Sequence, residues 1–193
     1  MIYTAIVGSI DAERKDIHVY SDRVGFESDR MNAKIYKVLS HHYTVGPSLW
    51  VDGNIMAKIY PPEIIHNLLF DADLAVFKHP FRSSIADEYK EIKALKLKGV
   101  MPDFPPKFKD ESLYECNVIV RRNNAVVRRF NEVWWSLICR YPERDQVTFP
   151  IALNYVPELR VQLIPGVLRK DHPWFKYVKH GEPLELKSKE EKT

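Results

Sequence analysis

The chain has 193 residues, 45% hydrophobic and 28% charged, with a formal net charge of +3, figures that allow one domain with a substantial core and leave little room for a second. They exclude a disordered or low-complexity chain. No apolar run approaches the length of a membrane span or a secretory leader, so a cytoplasmic protein is expected. The cysteines, Cys116 and Cys139, show no metal-ligand spacing and read as buried thiols of a reducing compartment.

Met1 to Val7 predicts a first, central strand, and Gly8 with Ser9 after it permits close backbone approach to a ligand. A short strand is expected over Asp16 to Tyr20, closed by Ser21-Asp22-Arg23. From Asp29, a plausible cap, Met31, Ile35, Val38 and Leu39 share one helical face. Lys34 and Lys37 fall off that stripe, open to solvent or phosphate. Ser48-Leu49-Trp50-Val51 reads as a buried strand that ends in Asp52-Gly53-Asn54, and Ile55 to Ile59 as another. Pro61-Pro62 opens a helix where proline is tolerated. Ala72 to Lys78 is a further buried strand ending in His79-Pro80-Phe81-Arg82. Ser83 or Ser84 caps a helix running to about Lys98.

Gly99 to Glu111, with Pro102, Pro105 and Pro106, cannot be regular structure and reads as an acceptor-side loop or lid. Cys116 to Arg121 is the next strand. After Asn123-Asn124 a helix carries Val126, Val127, Phe130, Val133, Trp134, Leu137 and Ile138, and its tryptophans read as packing rather than as a sugar platform. Arg144-Asp145-Gln146 opens a short buried helix, and a strand follows at Arg160 to Ile164. The expected layout is one domain over residues 1–185 and a charged, frayed tail over 186–193. This alternation predicts an α/β fold with a mixed, mostly parallel sheet flanked by helices.

Two stretches carry chemistry. In open α/β sheets ligands bind at the strand ends, so Asp52 and Asn54 offer hard oxygen ligands for a divalent cation, Mn2+ or Mg2+, that would hold a diphosphate. His79 and Arg82 put two donors at the same rim. Arg144, Asp145 and Gln146 at the start of a buried helix are costly without partners, which marks a second site signal. The pairs Arg121-Arg122 and Arg128-Arg129 could line a phosphate-bearing surface.

The segments YTAIVGSID, SLWVDGNI, FKHPFRSSIADE, CNVIVRRNN and RDQVTFPIAL together resemble the glycosyltransferase-like family long catalogued only as a domain of unknown function, whose plant members include mucilage-related transferases. The resemblance spans roughly residues 1 to 155. It implies a GT-A-like, Rossmann-type fold and sugar transfer from a nucleoside diphosphate donor to a hydroxyl of a polysaccharide or of modified DNA. Thr4, Ala5 and Gly8 would face the nucleotide and Asp22 its base or ribose. Asp52-Gly53-Asn54 would take the place of the acidic metal motif, with Asn54 where a second carboxylate is usual, and His172 would be a further ligand. Lys34 and Arg82 would stabilise the leaving group, and His79, Arg82, Arg144, Asp145 and Gln146 would surround sugar and phosphates. Asp145 is the expected catalytic group, as base if the reaction inverts, or as nucleophile or oxocarbenium stabiliser if it retains; Asp145-Gln146 resembles the Asp-Gln of glycogenin-like retaining enzymes. The alternatives are a non-catalytic nucleotide or nucleic-acid binding module and, last, a phosphohydrolase or nuclease.

Overall fold

In chain order the computed structural model places β1 (Ile2–Ala5), β2 (His18–Tyr20), α1 (Asp29–Val38), β3 (Ser48–Val51), β4 (Ile55–Ala57), α2 (Pro61–Leu68), β5 (Leu74–Lys78), α3 (Ile85–Ala94), β6 (Tyr114–Arg121), α4 (Ala125–Arg140), α5 (Asp145–Tyr155), β7 (Val161–Ile164) and β8 (Phe175–Tyr177). It describes residues 1–9, 11, 14–94, 104, 108–141 and 144–180. The expected lid, most of residues 99–111, and the expected tail lie outside the described residues. Among those described, no helix is long and apolar enough to cross a membrane.

Six strands form one sheet in the order β2-β1-β3-β6-β5-β7. Every pairing is parallel except the two made by β6, which runs against both β3 and β5. The expected mostly parallel α/β sheet flanked by helices is therefore present. The first strand is not central, however: β1 lies second from one edge, and β3 and β6 take the middle. Both central strands are covered on two faces and almost wholly buried, as residues of a doubly covered sheet must be.

The strand period of two decides which side each residue serves. Tyr3, Trp50 and Ile119 face a core with α1, α4 and α5, built round Tyr36, Phe130, Trp134 and Phe149. Leu49, Val51, Val118 and Val120 face the opposite core, with Ile64 and Leu68 of α2 and Phe175 of β8. Asp52 follows Trp50 by two positions and so emerges on the α1 side. Because β6 is reversed, its first residues, Tyr114 to Asn117, lie at the same rim as Lys78 and Asp52; Lys78 pairs with Tyr114, and Asp52 N donates to Asn117 O at 2.8 Å. β4 pairs antiparallel with β8 in a separate two-stranded ribbon that brings His180 back to that rim.

Of the arginine pairs that could line a phosphate-bearing surface, Arg121 and Arg122 hold the fold instead, while Arg128 and Arg129 lie exposed on α4. Arg121 is fully buried and donates to the carbonyl of Lys37 at 2.5 Å and to Asn131 Oδ1 at 3.1 Å, closing the C-terminus of α1. Arg122 caps the end of α2 through the carbonyls of Leu69 and Ala72. Arg128 donates to Asn123 Oδ1, and Arg129 pairs with Glu158. Cys116 is buried as expected, whereas Cys139 is exposed on the outer face of α4.

Candidate active site

The N-cap of α1 is Ser28, not Asp29: the Ser28 hydroxyl accepts from Met31 N at 3.3 Å. With the apolar stripe of α1 on the core, Arg30, Lys34 and Lys37, at i, i+4 and i+7, form a second stripe. This stripe walls a cavity of about 410 Å³ at the sheet rim. Ala5 of β1, Trp50 and Asp52 of β3 and Asp145 of α5 complete the opposite walls. Lys34 and Lys37 are thus buried beside the cavity rather than open to solvent.

Asp145 joins these walls. Its carboxylate lies 3.1 Å from Lys34 Nζ and 2.6 Å from Lys37 Nζ, and Lys37 reaches on to Asp52 Oδ1 at 3.2 Å. The same Asp52 oxygen accepts from Trp50 Nε1 at 2.8 Å, which fixes the acid against its own strand. Trp134 of α4, read correctly as packing, also positions the first turn of α5, donating from Nε1 to Thr148 Oγ1 at 3.2 Å and to the Asp145 carbonyl at 3.3 Å. Burial opposes the charge on Asp145, but the two ammonium groups outweigh it and hold its carboxyl well below the usual carboxylate range. Burial likewise opposes the charge on Lys37; Asp145 and Asp52 reverse that and raise its pKa. Lys34, facing mainly Asp145, is shifted down by burial.

A smaller chamber of about 120 Å³ continues from the cavity, sharing Lys37, Asp52, Asp145 and His180 with it. Asn54, Asn117, Gln146 and Arg169 line the remainder. Gln146 Oε1 and Asn117 Oδ1 are buried acceptors with no protein donor among the described residues. On the other side a recess of about 350 Å³, lined by Gly8, Arg14 and Ser21, shares Ile6 and Asp11 with the main cavity. Gly8 has φ +85°, and a side chain there would meet Asp29 Oδ2 at 2.5 Å. Asp11 and His180, which the sequence reading missed, pair at 2.6 Å across the cavity mouth.

His79, Arg82 and Arg144 form a neighbouring cluster round Glu88, which is fully buried. Arg82 Nε lies 2.5 Å from Glu88 Oε2, and Arg144 Nε pairs with Glu88 Oε1, tying the residue before Asp145 to α3. His79 accepts at Nδ1 from the Arg82 backbone at 3.0 Å. Burial first, then Arg82 and Arg144, push its pKa down to about 4, so the ring is neutral. These residues brace α5 from behind and do not line the donor cavity.

The remaining expected residues separate. Ala5 lines the cavity, whereas Thr4 is fully buried in β1. Asp22 is exposed and takes part through its carbonyl, which accepts from Tyr36 Oη at 3.1 Å. Of the expected metal set, Asp52 and Asn54 both line the small chamber, whereas His172 stands apart. Asn54 Nδ2 donates to the Val178 carbonyl at 2.9 Å, a bond that does not use Oδ1, its ligand atom. His172 is buried against Phe77 and Phe175, with Nε2 at 3.0 Å from the Pro165 carbonyl and Nδ1 accepting from Trp174 N. Asp52 is engaged by Lys37 and Trp50.

Among the described residues, the group with convergent ligand atoms is instead His41, His42 and Glu132, on the turn after α1 and on α4. There Asn131 Nδ2 donates to His41 Nδ1, and Arg121 fixes that amide. His41 therefore carries its proton on Nε2, directed at Glu132. The ring is set as a hydrogen-bond donor rather than as a ligand.

The sequence profile of the TOD1/MUCI70 glycosyltransferase-like domain matches residues 17–171. The chain belongs to this family. The TOD1/MUCI70 match covers α1, β3, α5 and most of the cavity wall. A probable hexosyltransferase, MUCI70 of Arabidopsis thaliana, is 27% identical over 144 residues, covering 64% of this chain and 25% of that protein. The chain thus spans about a quarter of the length of the curated relative it matches. The apo crystal structure of mouse xyloside xylosyltransferase 1 aligns with a TM-score of 0.42 at 16% identity, over 69% of this chain and 50% of that one.

Proposed function

We propose that this chain is a glycosyltransferase that moves a sugar from a nucleoside diphosphate donor to a hydroxyl of a glycan acceptor. The observation that carries the reading is the ionised Asp145 carboxylate, clamped by two lysines where the main cavity meets the polar chamber. The three connected spaces suit the three parts of such a donor. The recess beside Gly8 takes the nucleoside, the cavity under α1 the diphosphate, and the chamber of Asn117 and Gln146 the sugar hydroxyls. Family membership supports the same chemistry. A modified-DNA acceptor loses half its motive, because Arg121 and Arg122 are engaged within the fold and only Arg128 and Arg129 stay exposed.

In this reaction the bond from the anomeric carbon to the phosphate oxygen breaks, and its electron pair leaves on the phosphate. The acceptor oxygen bonds to the anomeric carbon. A general base works best with a pKa near the working pH. Asp145 is held far below that, which supports a charge-stabilising role opposite the developing oxocarbenium and therefore retention. The acceptor proton then passes to the departing phosphate oxygen. Gln146 and Asn117 accept from sugar hydroxyls and orient the ring, while Arg144, through Glu88, keeps the start of α5 in place. The expected Mn2+ or Mg2+ has no assembled ligand set at Asp52, and no step runs through it. A cytoplasmic location belongs to this reading and is supported by the free thiols.

Incubation with a panel of nucleoside diphosphate sugars and oligosaccharide acceptors tests the reading. Release of nucleoside diphosphate with sugar incorporation, lost in Asp145→Asn, supports it; no turnover with any donor and salt-dependent DNA binding in its place would favour a binding module.

A further inference from the structure

We propose that the basic stripe on α1, Lys37 above all, stands in place of a divalent metal as the counter-charge for the departing diphosphate. This rests on the glycosyl-transfer reading and names the cation that the reaction uses. Lys37 Nζ bridges Asp52 Oδ1 at 3.2 Å and Asp145 Oδ2 at 2.6 Å, the position between two acids that a metal would otherwise take. Asp52 Oδ1 is held by the Trp50 indole as well, and Asp11 and His180 are paired with each other. Among the described residues, no three His, Cys, Asp or Glu ligand atoms converge at Asp52.

The cavity is lined by three basic groups, Arg30, Lys34 and Lys37, and by four acids, Asp11, Asp29, Asp52 and Asp145. Of the bases, Lys37 is the one that bridges Asp52 and Asp145, so a divalent ion at Asp52 would stand beside an ammonium group already in contact with the carboxylate. On arrival the oxygens of a diphosphate take the Lys37 hydrogen bond now made to Asp52. When the anomeric bond breaks, the phosphate oxygen keeps the electron pair, and Lys37, whose proton is secured by burial between acids, meets that charge with a hydrogen bond and stays protonated.

The test is calorimetric binding of uridine diphosphate and of inorganic pyrophosphate in chelator and in MnCl2, together with MnCl2 alone, on the wild-type chain, Lys37→Met and Lys37→Arg, with thermal melting to verify folding. The expected result is diphosphate binding that is equal within about twofold with and without metal. Affinity should fall about tenfold or more in Lys37→Met and be largely kept in Lys37→Arg. Lys37→Met, which frees Asp52 and Asp145, should gain Mn2+ binding that the wild type lacks. Diphosphate binding that vanishes in chelator, or tight Mn2+ binding by the wild type that Asp52→Asn removes, would overturn the proposal, as would no binding of either diphosphate in any condition. Metal-independent binding without turnover of any nucleotide sugar keeps the counter-charge and removes the transfer reading instead.

Discussion

Lys37 Nζ lies 2.6 Å from Asp145 Oδ2, joining the last turn of α1 to the first residue of α5. Both side chains are at most a tenth exposed, so the pair is worth far more when broken than a surface ion pair would be. Before any substrate arrives, it also fixes the carboxylate proposed to meet the developing charge.

Replacing Asp145 with Asn removes the charge and leaves two buried ammonium groups facing an amide. Turnover should fall by about a hundredfold or more. Stability should fall by about 3 kcal/mol, measured by denaturant unfolding. An unchanged rate in a variant that keeps its fold would place the chemistry elsewhere.

Glu88→Gln acts at a distance from the donor. The Glu88 carboxylate is fully buried, but its partners Arg82 and Arg144 are 25% and 28% exposed, so the cost is discounted to about 2 kcal/mol. Because Arg144 precedes Asp145, kcat should drop more than donor affinity does. A melting loss with unchanged kcat would reduce Glu88 to a stability element.

The pH dependence of stability follows from three shifts. Asp145 is depressed, so its contribution is complete above about pH 4 and is lost as pH falls through its lower folded value. Lys37 is raised, so its share is complete below about pH 10 and is lost only as pH rises through its folded value. His79 is a base whose folded pKa, about 4, lies below the usual value of about 6.5. Between those values the unfolded chain binds the proton and the folded one does not, so stability falls with falling pH over that window. Urea unfolding across pH 4 to 7 should show this slope in the wild type and a shallower one in His79→Gln; equal slopes would remove His79 as the cause.

Gly53→Ala probes the mouth of the cavity. A Cβ at Gly53 would come within 2.5 Å of Asp11 Oδ2 and 3.0 Å of its Cβ and Cγ, so Asp11 must move away from His180. Melting should change by about 1 kcal/mol, since Asp11 is only partly buried and its partner His180 is exposed, while donor affinity falls severalfold. Unchanged donor binding would show that the Asp11–His180 pair lies off the donor path.

The rim stretches were legible because they are local. Trp50 to Gly53 announces a buried strand meeting a polar end, and Arg144-Asp145-Gln146 announces polar groups entering a buried helix; both line the same site. Asn123-Asn124 marked the start of α4 for the same reason, and Asn124 caps it, its side chain accepting from Val127 N at 3.0 Å. Lys37 was not: the apolar period of α1 identifies its core face but not what covers the other one, and the partner acid arrives from α5. Ser28 and Asp29 are adjacent capping types, and only geometry separates them.

The β4–β8 ribbon escaped notice because it pairs three-residue strands from distant parts of the chain, below the length at which periodicity speaks. The same ribbon explains the histidines. It carries His180 to the cavity, whereas His172 stops short and packs under Phe175. Composition near the C-terminus distinguishes neither.

The most direct measurement is a crystal structure of the chain with an unhydrolysed nucleoside diphosphate sugar. The account predicts the diphosphate against Lys34 and Lys37, the sugar hydroxyls on Gln146 and Asn117, and the anomeric carbon beside Asp145. A donor seated elsewhere, such as the groove between Phe108 and Asn154, with the α1 cavity left to solvent, would contradict it.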